Sequence, residues 1–365
     1  MRVLRISIFT IIIVLGIWGV TLQIPTSQEA VRYTAHFDES LPCSLHVLEV
    51  DLTHPGVHFR SVLSSNDDRQ QLPGLERLTS MISRFDDQDY SIGGINADFF
   101  RFDSGYPVNL HVGDFIPATP SHHRAVFGKT SADSLFISPI DFEARLEYDG
   151  ASQHINAVNP LYRTSEPTLY TSHIGKPIHT DSTGAALGFE HHGEGIFKQK
   201  SPEWMYGEIP PHSFDLILTI PDHTMEAEGL RLSLHYKPLT HPVAQAVGGG
   251  PQLVADGELV VDFAAEKEGI GSDFVETRHP RTAIGFNADQ SMLYLVVADG
   301  RSEESAGMNL YELGEFMIDL GADHALNLDG GGSTTMVWDG KIKNQPSDEN
   351  GERSIANGLL IFVAD

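Results

Sequence analysis

The chain has 365 residues, 41% hydrophobic and 20% charged, a globular balance that excludes wholesale disorder and fibrous repeats. Its 24 Lys and Arg against 50 Asp and Glu leave a formal charge of -26, a field that repels phosphate backbones and excludes nucleic acid as a partner. The single cysteine, Cys43, excludes an intrachain disulfide or a cysteine metal knuckle, and no Asn opens an Asn-x-Ser/Thr sequon, which argues against a glycosylated eukaryotic secretory protein.

At the N-terminus, Met1-Arg-Val-Leu-Arg5 precedes an uncharged apolar run from Ile6 to Ile24. Positive charge before an apolar stretch is the pattern of an export signal. A run of about 19 residues is also long enough to span a bilayer. Residues 1–24 are therefore read as a signal peptide or a membrane anchor, with attachment through residues 6–24 in the second case. Either way the body, residues 30–365, is expected outside the cytoplasmic membrane: periplasmic, anchored or secreted.

Strand-like alternation dominates that body. Ser44 to Asp51, Phe214 to Ile220 and Ser291 to Val297 are rich in β-branched or aromatic residues and bounded by Pro, Gly or Asp. Two helices stand out. Leu72, Leu75, Leu78, Ile82 and Phe85 repeat at helical spacing, as do Leu310, Leu313, Met317 and Leu320. The second has Asn309 as N-cap, Glu312 three residues on, and Gly321 to stop it. The expected class is α+β, with a strand-rich, mostly antiparallel sheet core and a few helices. Residues 144–239 carry weaker signals and read as an insertion, a cap or a poorly regular sheet.

Four later segments share one design. Ala246 to Gly257 holds three glycines before a Pro; Arg278 to Gly285 sets Arg281 before an apolar strand; Leu295 to Arg301 ends a strand in Asp-Gly-Arg; Ala325 to Thr335 ends one in Asp329 and three glycines. Glycines after strand ends tolerate positive φ and let a ligand approach main-chain N–H groups, which suits an oxyanion. Arg281 and Arg301 would add bidentate contacts to phosphate. Asp299 and Asp329 would stand at the lip as acid, base or nucleophile. Upstream, Ile92 to Phe100 supplies a glycine pair, Asn96, Asp98 and two aromatics, platforms suited to sugar rings.

Other features read as ordinary structure. Asp256-Gly257 and Asp339-Gly340 are hairpin turns. His122-His123 and His191-His192 lack zinc-helix spacing and read as exposed loop residues, and Asp86 to Asp89 lacks the length and terminal Glu of a calcium loop. Neither a serine-hydrolase elbow nor a P-loop occurs. No cofactor and no metal are expected.

Taken in order, Gly94-Ile-Asn96-Ala-Asp-Phe-Phe100, Gly248-Gly-Gly-Pro-Gln-Leu-Val254, Arg281-Thr-Ala-Ile-Gly285, Asp299-Gly-Arg301, Leu328-Asp-Gly-Gly-Gly-Ser-Thr334 and Arg353-Ser-Ile-Ala-Asn-Gly358 resemble the motif series of the phosphodiester glycosidase family. The resemblance covers about residues 44 to 363; the departures are Ala97 and Asp98 before the aromatics and the lack of disulfides. It implies hydrolysis of a sugar joined through its anomeric carbon to a phosphodiester, on a surface or extracellular glycan such as an exopolysaccharide. The alternative is a noncatalytic glycan-binding or export-accessory protein. On this reading Asp329 is nucleophile or base and Asp299 its partner. Arg281, Arg301 and the glycines (Gly248, Gly249, Gly250, Gly330, Gly331, Gly332) take the phosphate, and Asn96, Phe99 and Phe100 the sugar. Asp98, Ser333, Thr334 and Asn357, inside the same motifs, complete the expected substrate-binding set.

Overall fold

The computed structural model describes residues 30–38, 42–65, 74–85, 90–148, 150–155, 157–160, 166–174, 176–180, 184–193, 195–201, 203–221 and 230–364. The apolar run before residue 25 and the Asp86 to Asp89 turn lie outside these residues. Among the described residues no helix is long and apolar enough to cross a membrane.

Three antiparallel sheets enclose the main core. The first orders its strands Val31–Asp38, Cys43–Asp51, Met292–Ala298, Arg281–Phe286, His324–Asn327, Gln252–Ala255 and Glu258–Leu259. The second orders Lys341–Ile342, Met336–Trp338, Tyr90–Asn96, Asn357–Ala364 and Val57–Leu63. The third orders Ile116–Thr119, His111–Gly113, Val243–Gly248, Ala125–Thr130 and Leu135–Pro139. Leu48, Ile284 and Leu326 from the first meet Ile95 and Ile361 from the second and Phe127 and Val247 from the third, all buried.

The third sheet is covered on both faces, because successive side chains point to opposite sides of a strand. Ala125 and Phe127 join the main core, whereas Val126, with Val112 and Ala246, packs into a second one. This second core belongs to an eight-stranded sheet built between Asp141 and Lys237, around Leu146, Leu187, Phe197, Leu218 and Leu232. The chain leaves the third sheet after Pro139 and returns as Val243–Gly248, which pairs with Ala125–Thr130. Residues 141–237 are thus a looped-out layer stacked on a sheet that is already complete without them.

The strand-rich, mostly antiparallel core expected from the sequence is present, and the three proposed strands appear as Cys43–Asp51, Leu216–Ile220 and Met292–Ala298. The helix Leu310–Asp319 carries the expected capping box: Glu312 N donates to Asn309 Oδ1 at 2.9 Å and Asn309 N to Glu312 Oε2 at 3.1 Å. The upstream helix is shorter than its periodicity suggested, spanning only Leu78–Ser83. Glu76 exchanges backbone bonds with Ile355, so Leu75 precedes the helix, and Phe85 follows it. Two more short helices, Val261–Glu268 and Ser272–Glu276, were not expected. Asp256-Gly257 and Asp339-Gly340 turn hairpins with both residues at positive φ. His122 and His123 are exposed. His191 departs from its expected loop: it ends the strand Ala185–His191 and stacks on Phe115 at 4.7 Å.

Candidate active site

Antiparallel pairing brings the motif-bearing strand ends to one end of the first two sheets. Arg281 lies opposite Ala298, Ala283 opposite Asn327, and Asn96 opposite Gly358. The chain then leaves these strands into the glycine turns and the Asp98 loop.

Two carboxylates meet there. Asp98 is buried; its Oδ2 accepts the Asn109 N–H at 2.8 Å, and its Oδ1 has no partner among the described residues. Burial, and secondarily the neighbouring Asp329, push the Asp98 carboxyl up to about 8, against the pull of the Asn109 N–H. Asp329 is half-buried and pushed up to about 6 by desolvation, with the Ser333 hydroxyl, the Gly330 N–H and the charge of Arg353 opposing. At neutral pH the pair therefore holds one proton, on Asp98, and one charge, on Asp329. Burial, the first cause of both shifts, produces this separation of acid from base, and the charge of Asp329 adds to it at Asp98.

Amides set the position of both. Asn96 Nδ2 donates to Asp329 O at 2.6 Å, and Asn96 Oδ1 accepts from Thr282 Oγ1 at 2.8 Å and Thr335 N at 3.1 Å. Asn357 Oδ1 accepts the Asp98 N–H at 2.9 Å. Both amides are buried. They hold the carboxylate-bearing backbone. Thr334 is likewise buried, 3.5 Å from Thr282 Oγ1.

The glycines serve close approach more than open N–H groups. Gly249 and Gly250 donate to Ala125 O and Asn327 O, Gly331 to Pro280 O, and Gly330 to the side chain of Asp329. The expected N–H nests are thus largely spent within the chain. What the missing Cβ atoms admit is side chains. A methyl on Gly248 would lie 2.6 Å from Asp98 Oδ2, one on Gly331 3.0 Å from Arg301 Nη2, and one on Gly332 would collide with Arg353. Gly331, at φ +61°, also needs the left-handed backbone.

Two guanidinium groups are consequently seated over the 330–332 turn. Arg301 is exposed, holds the left-handed φ of +62° and reaches His279 Nδ1 at 3.5 Å. Such a backbone at a non-glycine residue persists only where its surroundings demand it. Arg353 is oriented by Asp348, with Nε to Oδ2 at 2.6 Å, and its Nη1 lies 3.5 Å from Ser333 Oγ. Arg353 sits in a quoted motif but was not among the expected site residues; its signal was an Arg four residues before Asn357.

Two expected residues sit elsewhere in the network. Arg281 is buried and donates from Nε to Met308 O at 3.1 Å and from Nη2 to Phe274 O and Thr277 O at 2.7 and 2.8 Å, with its guanidinium over the Phe274 ring. Burial and nearby Arg301 lower it to about 10. These bonds tie down the segments that flank the site. Asp299 has both oxygens engaged: Oδ2 with His46 Nε2 at 3.1 Å, Oδ1 with Asn344 Nδ2 at 3.2 Å and Gln345 N at 2.9 Å. The carboxylate electrostatically coupled to Asp329 is Asp98.

Aromatic side chains wall the site on two sides. Phe99 packs edge-on against Phe274 at 6.0 Å with the Arg124 guanidinium 5.5 Å from its centroid. Phe100 lies 4.8 Å from Phe102, which Arg353 overlies at 5.7 Å. Asp256, Asp323 and His324 also bring three ligand atoms within 4.8 Å of one another, a grouping not expected from sequence, but at the opposite end of the His324–Asn327 strand from Asp329 and with Asp256 exposed.

The phosphodiester glycosidase family profile matches residues 150–362, more than half of the chain, and the chain belongs to that family. It is 36% identical over 115 residues to human N-acetylglucosamine-1-phosphodiester alpha-N-acetylglucosaminidase and 34% identical over 115 residues to the mouse protein, a match covering 30% of this chain and 22% of each relative. The chain thus aligns with a little over a fifth of the length of these curated relatives. An SPbeta prophage-derived uncharacterized protein of Bacillus subtilis is 36% identical over 91 residues, 25% of this chain and 14% of that protein. The fold is shared with a hypothetical protein from Synechocystis (TM-score 0.67, 20% identity, 92% of this chain and 62% of that one). It is shared also with the zebrafish N-acetylglucosamine-1-phosphodiester alpha-N-acetylglucosaminidase catalytic domain (TM-score 0.52, 16% identity, 92% of this chain and 82% of that one). A putative exported protein from Burkholderia pseudomallei has the same fold (TM-score 0.61, 21% identity, 87% of this chain and 74% of that one).

Proposed function

We propose that the protein is a hydrolase that releases a sugar from a sugar-1-phosphodiester carried on a surface or extracellular glycan, and that it works outside the cytoplasmic membrane. The observation that carries this reading is the Asp98 and Asp329 pair beside a turn topped by Arg301 and Arg353. The phosphate lies under the two guanidinium groups, whose planar forks suit its oxygens. Asp329, ionised at neutral pH, acts on the anomeric carbon as nucleophile or as base for water, and its charge stabilises the oxocarbenium-like transition state. Asp98 takes the partner role first assigned to Asp299, offering its retained proton to a substrate oxygen. A phosphate leaving group is weakly basic, so this proton transfer is the lighter demand and charge stabilisation the heavier one. The family match supports the hydrolase class, and the named activity of the human relative supports a sugar-1-phosphodiester substrate. The exported Burkholderia neighbour and the apolar run before residue 25 support the location. Residues 30–365 are taken as the phosphodiester glycosidase domain, with the looped-out sheet as its inserted layer.

Hydrolysis in ¹⁸O-enriched water tests the bond that breaks. Label is expected in the anomeric hydroxyl of the released sugar. Label in the phosphate would mean attack at phosphorus and would overturn the glycosidase reading.

A further inference from the structure

Beyond Asp98, on the side of the site away from Arg353, stands a third carboxylate that the reaction outlined above leaves unused. Glu268 closes the helix Val261–Glu268 and points at Gly250, where an added Cβ would collide with its Oε2. Glu268 Oε1 accepts the Gln252 N–H at 3.3 Å and the Ala125 main-chain N–H also favours the charged carboxylate, while the buried Oε2 makes no close hydrogen bond among the described residues. A buried carboxylate oxygen without a donor is costly, and such a group calls for a ligand. The Arg124 side chain approaches the same point, with Cδ 3.5 Å from the Cβ that Gly250 lacks. Its guanidinium lies near the Phe99 ring, and its charge acts on both Glu268 and Asp98. A buried carboxylate oxygen without a close hydrogen bond, a guanidinium whose charge acts on that carboxylate and an aromatic wall formed by Phe99 and Phe274 therefore border one corner of the site.

We propose that Glu268 and Arg124 are the specificity-determining polar groups of the subsite for the sugar whose anomeric carbon is attacked, Glu268 accepting from a ring hydroxyl or amide N–H and Arg124 donating to an adjacent oxygen. This rests on the reading of the reaction given above. The aromatic wall takes the apolar face of the ring, while the phosphate extends to the other side, toward Arg301 and Arg353. A site built to hydrogen-bond a substrate group discriminates strongly against analogues lacking it, because its own buried polar atoms are then stranded.

The test uses methyl α-glucosyl phosphate, methyl α-galactosyl phosphate and methyl N-acetyl-α-glucosaminyl phosphate with the full chain. On the diester that wild type cleaves best, Glu268→Ala and Arg124→Met are each expected to raise KM about tenfold or more with kcat changed less than about threefold, and Glu268→Gln to fall between. Unchanged KM, or a loss confined to kcat, would overturn the proposal. Saturation-transfer NMR with the three corresponding free methyl glycosides reads the same subsite without chemistry. Signals from wild type that disappear in Glu268→Ala support it; no signal from wild type, or equal signals from both, overturns it. If no diester is cleaved but the NMR signals behave as expected, the reaction reading falls and the subsite stands.

Discussion

Asn357 Oδ1 accepts the main-chain N–H of Asp98 at 2.9 Å while Nδ2 of the same side chain meets His111 Nδ1 at 3.1 Å. One buried amide thus joins the strand beginning at Asn357 to the loop that carries the Asp98 carboxyl and to the buried His111. Asn357→Ala would leave the Asp98 N–H stranded, at a cost of about 1 to 3 kcal/mol. The expected outcome is a lower Tm together with a fall in kcat, because Asp98 loses its anchor. A variant matching wild type in both would show that the amide positions nothing.

On the proposed reading, activity depends on pH through both members of the pair. Asp329, raised to about 6, must be ionised, and Asp98, raised to about 8, must hold its proton. A bell-shaped kcat/KM profile with limbs near pH 6 and 8 is expected, its apparent values belonging to the pair. A plateau that extends below pH 5 would contradict the assignment of Asp329.

Asp98 also makes stability fall with pH. Its carboxyl goes from an ordinary 3.8 to about 8 on folding, so between those values the folded chain keeps a proton that the unfolded chain has lost. Stability is then lost as pH climbs through that window, and the loss is complete above the folded value. Asp98→Asn removes the titration. The variant is expected to be more stable than wild type at pH 8, by on the order of a few kcal/mol, with the advantage vanishing below pH 4, and to be far less active. Thermal melts across pH check this: equal Tm values at pH 8 would remove the buried charge from the account.

Arg353→Lys keeps the charge but not the fork above Gly332. Substrate binding should weaken by about 1.5 to 3 kcal/mol, the scale of a charge-assisted hydrogen bond. Hydrolysis of an aryl glycoside without phosphate should change little. Equal losses on both substrates would place Arg353 in the framework and off the phosphate.

For Arg281→Lys the expected loss is in stability. The guanidinium satisfies three main-chain carbonyls at once, and an ammonium at the end of a flexible stem cannot reach all of them. A drop of about 2 to 4 kcal/mol in unfolding free energy, with KM nearly unchanged for the remaining folded enzyme, is the expected pattern. A raised KM at unchanged stability would return Arg281 to the phosphate.

Much of this site was legible along the chain because the signals are local. A capping box needs only Asn309 and Glu312, a hairpin turn only Asp256 and Gly257, and glycine triplets mark places where backbone and side chain come close. Strand alternation likewise gave the antiparallel core, since burial of one face dictates it residue by residue. The partner of Asp329 was not local. Asp98 and Asp299 both follow strands in glycine-bearing motifs, and nothing in their neighbours says which one faces Asp329. Pairing across the sheets decides it: Asp299 is turned toward His46 and the Asn344 loop, and Asp98 is brought to Asp329 and buried. Burial then raises its proton affinity, a property of the surrounding dielectric that no motif encodes. Arg281 follows the same logic, since the carbonyls it serves come from three separate positions that only the folded chain assembles. Residue types and their order determined which motifs the chain carries; the packing of strand ends determined which of their groups are brought together.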